Sequence, residues 1–119
     1  MAFTKKIREQ IHAKYGGKCA YCGKDIEYKQ MQLDHIHCQN RFVNGETKGI
    51  LDINNIDNLN PSCRRCNFRK STFTVEQFRE QIALQCQRLK RDSSQYSIAI
   101  DYGMITETSK PILFYFETV

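Results

Sequence analysis

Apolar residues recur at steps of four near the start of the chain. Ile7, Ile11 and Tyr15 share one face of a helix that Thr4 can cap and Gly16-Gly17 can end. Over residues 28–37 the period shortens to two: Met31 and Leu33 take one side of a predicted strand, Asp34 the other, and His35 follows. Residues 39–60 hold no sustained period. Asn44-Gly45 is a hairpin signal there, and Asn54-Asn55, Asp57-Asn58 and Asn60-Pro61 are loop dipeptides. Ile50, Leu51 and Ile53 are expected to form a short second strand inside this stretch.

Pro61 suits the first turn of a helix, so a short helix is expected over residues 62–70. Thr74 and Gln77 then fit a capping box. Val75, Phe78, Ile82, Cys86 and Leu89, at steps of three and four, predict a helix to about residue 91 with Cys86 buried on its stripe. The tail reads two ways. Residues 97–104 fit a short helix ended by Gly103 or an alternating strand, and Lys110-Pro111 opens a run over 112–116 that reads as a terminal strand. The expected class is α+β: one small domain over residues 1–119, with a core at about 15–75, a helical extension at 74–91 and a C-terminal segment at 92–119.

At 119 residues the chain can bury only a modest core. No stretch approaches the roughly 20 apolar residues of a membrane span, and the first residues lack an apolar signal segment, so an intracellular, cytoplasmic setting with reduced thiols is expected. The net charge of +5 is uneven: residues 1–91 carry +8 and residues 92–119 carry −3. A basic module of this kind suits a polyanion, because Lys and Arg neutralise phosphates.

Four of the six cysteines form two Cys-x-x-Cys pairs, Cys19/Cys22 and Cys63/Cys66. Such pairs are read as ligands of a structural Zn²⁺, which takes four thiolates at about 2.3 Å in a tetrahedron. A redox dithiol would need a βαβ context that the pattern lacks, and disulfides suit a secreted chain. Cys38 is not expected to be a ligand. His12 is expected at the surface, and His37 either near phosphate or exposed. Closing the zinc site would staple a segment holding Asp34, His35, Asn58 and Asn67.

The motifs Leu33-Asp34-His35, Asn58-Leu59 and Cys63-Arg64-Arg65-Cys66-Asn67-Phe68-Arg69-Lys70 resemble the HNH nuclease family, with asparagine at the third signature position. The resemblance covers about residues 15–75 and implies a ββα-metal core. It implies a metal-dependent DNA endonuclease that leaves a 5′-phosphate and a 3′-hydroxyl. His35 would be the general base, and Asn58 would brace the loop and orient His35. Asp34 and Asn67 would hold a catalytic Mg²⁺ or Mn²⁺. Arg64, Arg65, Arg69 and Lys70 would hold backbone phosphates. DNA is the expected substrate, with RNA left open, and a homodimer or larger assembly would supply the recognition surface so small a chain lacks. Some family members carry a further histidine at the position of Ser71. Two rival readings remain at this point: a zinc-dependent nucleic-acid-binding module without cleavage, and a nuclease subunit active only in an assembly.

Overall fold

Thr4 caps helix α1 (Lys5–Ala13): its hydroxyl accepts from the Ile7 N–H at 3.2 Å. Gly16 and Gly17, with φ of +64° and +81°, turn the chain out of the helix as the sequence predicts. The computed structural model describes residues 3–37 and 54–119. The Asn44-Gly45 turn, Cys38 and the strand expected around Ile50, Leu51 and Ile53 lie outside the described residues.

The expected strand over 28–37 is shorter than its pattern. A 3₁₀ turn at Tyr28–Gln30 precedes strand β1 (Gln32–His35). Its partner is β2 (Leu59–Ser62), antiparallel, with Asp34 opposite Asn60 and His35 opposite Leu59. The strand thus contains Pro61, which was expected to open the following helix. In a two-stranded sheet each strand is an edge, so the missing Pro61 N–H leaves no gap in a central ladder, while the Pro61 carbonyl accepts from Ala20 N at 2.9 Å. Helix α2 (Arg64–Lys70) starts later than expected, capped by the Cys63 sulfur, which accepts from Cys66 N.

The chain divides into two compact units, Met1–Val75 with Leu113–Val119, and Glu76–Ile112. In the first unit Ile11, Met31 and Leu59 are fully or almost fully buried. Each such side chain contributes roughly 1.5–3 kcal/mol relative to exposure. Lys14 ties α1 to β2 by donating to the Leu59 carbonyl at 2.8 Å and the Asn60 amide oxygen at 3.2 Å. His12, expected at the surface, instead bonds the Ile26 carbonyl at 2.7 Å and meets the Tyr28 ring edge-on.

The C-terminal segment forms no strand. Phe114 and Phe116 stack in parallel at 6.2 Å and both meet the Tyr21 ring edge-on, while Tyr115 N and Phe116 N donate to the Tyr21 and Ala20 carbonyls. A 3₁₀ turn at Tyr115–Glu117 sets this spacing. Tyr115 lies so close to Gly23 that a Cβ there would meet its ring at 3.1 Å, which, with a φ of +77°, keeps that position glycine.

The second unit contains α3 (Val75–Ala83) from Glu76 onward, α4 (Gln85–Asp92) and α5 (Ser94–Asp101). The single helix expected to residue 91 is broken at Leu84, whose ψ of −4° flattens one turn. Cys86, expected to be buried, is exposed. The tail resolves to its helical reading: Ser93 caps α5 through Tyr96 N at 3.2 Å, and Gly103 follows its end at φ +74°. No helix among the described residues is long and apolar enough to cross a membrane.

Candidate functional site

Cys19 and Cys22 sit on a tight turn closed by Cys19 N to Lys24 O at 2.8 Å and Gly23 N to Cys19 O at 3.0 Å. Cys63 and Cys66 come from the N-cap and first turn of α2. The four sulfurs lie within 4.8 Å of one another, and those of Cys22 and Cys63 are 3.8 Å apart. Four sulfurs at about 2.3 Å from a tetrahedral centre stand about 3.8 Å from each other, whereas a disulfide needs about 2.05 Å. All four are free thiols, and the cluster suits a zinc site. The electrostatics agree. Hydrogen bonding from Cys66, with the N–H groups of Cys63 and Tyr21 at 3.3 and 3.4 Å, lowers the Cys19 thiol to about 4. Cys66 is driven up by that same bond, and burial raises Cys22.

Beside this cluster β1 and α2 run in the same direction. Gln32 pairs with Ser62, which immediately precedes the α2 cap, and Lys70 at the far end of α2 donates to the His35 carbonyl at 3.1 Å. Three strand steps and six helix steps each span about 10 Å, so the two elements match end to end.

Asp34 points from β1 toward α2 and is 4% exposed. Its carboxylate accepts from the Tyr21 hydroxyl and from the Lys70 ammonium, which lies 3.3 Å from Oδ1 and 3.2 Å from Oδ2. Burial raises the Asp34 carboxyl above the ordinary range, and the Lys70 charge works against that rise. Burial, then the Asp34 charge, likewise pushes the Tyr21 phenol up. Lys70 is fully buried, which corrects its expected role: it cannot meet a phosphate in this arrangement. Its position is legible in hindsight, because Lys70 stands four residues after Cys66 and shares its helix face.

Next to Asp34, His35 is half-buried and its Nε2 lies 2.8 Å from the Asn54 side-chain oxygen. An amide oxygen only accepts, so Nε2–H is the donor of this pair. The sequence pattern offered Asn54 only as a loop residue. The Asn58 amide clamps both main-chain groups of His37, accepting from the N–H at 3.0 Å and donating to the carbonyl at 3.2 Å, while Ile36 N bonds the Asn58 carbonyl. This pair of bonds holds the chain two residues beyond the histidine.

The outer face of α2 carries Arg64, Arg65, Phe68 and Arg69, all exposed. Asn67 lies between the two faces and, with Gln32, Arg64, Arg65 and Phe68, lines a cavity of about 420 Å³. The expected pairing of Asp34 with Asn67 around a divalent ion fails a donor test here. The Asp34 carboxylate is enclosed and already neutralised by an ammonium, while Asn67 faces the open cavity. A hard divalent ion needs several oxygens free to turn toward it. Ser71, at the position where the resemblance offered a further histidine, ends α2 with a φ of +47°.

Residues 19–73 match the family model described as HNH endonuclease. Comparison with curated proteins and with solved structures returned no match.

Proposed function

We infer that this chain, whose residues 19–73 match the HNH endonuclease family model, hydrolyses phosphodiester bonds in nucleic acid, with His35 as general base and the four cysteines holding a structural zinc. The observation that carries this reading is the hydrogen bond of His35: its Nε2–H donates to the Asn54 side-chain oxygen at 2.8 Å, which assigns to Nδ1 the task of accepting a proton from water. The water oxygen then forms its bond to phosphorus as the bond to the 3′-oxygen breaks, and that oxygen takes a proton from solvent, giving a 5′-phosphate and a 3′-hydroxyl. Arg69, on the last turn of α2 and level with His35, neutralises the attacked phosphate; Arg64 and Arg65 hold phosphates toward the Gln32 end. Asn58 keeps the strand end in place through His37. Zinc, bound by Cys19, Cys22, Cys63 and Cys66, would supply structure and no chemistry.

The test is plasmid nicking by the zinc-loaded protein with Mg²⁺ or Mn²⁺ supplied. His35→Ala is expected to slow nicking by roughly 10²–10⁴-fold with DNA binding retained. Equal nicking by the variant would refute the role. One observation favours a second reading, a binding module without cleavage: Lys70 and Tyr21 already occupy the Asp34 carboxylate. That reading predicts binding with no nicking by the wild type under any divalent ion.

A further inference from the structure

Phe68 is 84% exposed, the highest value among the exposed large hydrophobic residues described. A lone apolar side chain at the surface is ordinary. The surroundings of this one are not. Arg64 and Arg65 stand four and three residues before it, so all three share one helix surface, and together with Gln32 and Asn67 they line one cavity with no carboxylate among its described lining residues. Gln32 and Asn67 add amide donors and acceptors at the rim. An aromatic ring between two guanidinium groups and two amides suits a planar, hydrogen-bonding ring joined to phosphates.

We propose that Phe68 is a stacking platform for an unpaired nucleobase, with Arg64 and Arg65 on the phosphates that flank it, so that the substrate carries a single-stranded segment beside the cleaved bond. The inference rests on the nuclease reading for its place relative to cleavage and extends it to substrate class. A paired duplex presents base edges in its grooves and hides the ring faces, and exposing a face means unstacking at a cost of a few kcal/mol. An unpaired strand offers ring faces without that cost, and aromatic stacking is indifferent to base identity. The cavity runs from the Gln32 end of β1 to Phe68, which stands two residues before Lys70 and so close to the level of His35 along the strand. This places the unpaired base next to the attacked phosphate, with Arg64 and Arg65 further along the strand.

The test uses binding, so it does not depend on cleavage. The zinc-loaded full chain, with no divalent ion added, is titrated against a fluorescent single-stranded oligonucleotide and its duplex of equal length. Phe68→Ala is expected to weaken single-strand binding about 5- to 100-fold and leave duplex binding unchanged. Arg64→Gln with Arg65→Gln should weaken both and lower the salt slope. The chain contains no tryptophan, so Phe68→Trp places one reporter at the site. It should keep wild-type affinity, and its emission should be quenched by the single strand and not by the duplex. Phe68 lies outside the core, so both variants are expected to fold with full zinc content. Single-strand binding that ignores Phe68→Ala, equal losses on strand and duplex, or no single-strand binding by the wild type would each overturn the proposal. His35-dependent nicking alongside such a result would leave the nuclease reading standing. Phe68-dependent binding without nicking would overturn the nuclease reading alone.

Discussion

The Lys70 ammonium bridges both carboxylate oxygens of Asp34 at 3.3 and 3.2 Å, with the lysine wholly buried and the aspartate 4% exposed. The ion pair fastens α2 to β1 directly beneath His35, whose carbonyl takes a third bond from the same nitrogen. Asp34 and Lys70, expected on a metal ion and on phosphate, therefore fasten helix to strand instead.

Breaking this pair from one side should be worse than removing it. Asp34→Asn strands a buried ammonium and is expected to cost about 3–5 kcal/mol. The double variant with Lys70→Met should lose less than the sum of the single losses, by denaturant unfolding. Strict additivity would mean that the two groups do not interact.

Lys70→Met alone should also change how stability responds to pH. Burial already raises the Asp34 carboxyl, and removing the ammonium removes the main influence opposing that rise. The folded protein would hold a proton that the unfolded chain releases near pH 4, so stability should fall as pH rises above about 4 toward the folded value. Melting curves across that range that rise with pH would contradict the assignment.

Zinc uptake should release the protons of Cys22 and Cys66, whose thiols are raised, and none from Cys19, already a thiolate down to about 4. Affinity should therefore strengthen with pH. Calorimetry in buffers of different ionisation enthalpy measures the proton count. Metal analysis should find about one zinc per chain, and Cys63→Ser should abolish the cooperative melt. A folded, reduced and zinc-free wild type would refute the site.

Asn58→Ala deletes both bonds to the His37 main chain and should cost roughly 1–3 kcal/mol. It should slow nicking through His35 while zinc content stays full. Unchanged nicking and unchanged melting together would remove Asn58 from any bracing role.

Arg69→Gln should lower the slope of log affinity against log salt by about 0.9, equally for unrelated sequences. Lys70 substitutions, scored only on protein that remains folded, should leave that slope alone, because the ammonium faces Asp34 and not solvent. A slope that depends on Lys70 would place it on phosphate after all.

By itself the sequence determined what short-range chemistry can encode. Thr4 and Gly16-Gly17 bound α1 because caps and left-handed turns are set by residues a few steps apart. The two Cys-x-x-Cys spacings announced a four-thiol cluster, and the structure brings those four sulfurs together. The order Asp34-His35, Asn58, Asn67 pointed to the family that residues 19–73 match. Tertiary packing decided the rest. Leu59 to Ser62 became a strand because β1 was there to pair with it, although Pro61 reads equally well as a helix start. The tail became an aromatic clasp because Tyr21 offered two edges to Phe114 and Phe116, a partner roughly 90 residues away that no local pattern names. Lys70 looked like one more surface cation. Only the closure of α2 over β1 set it against Asp34, because a buried charge is tolerable solely where another element supplies its opposite.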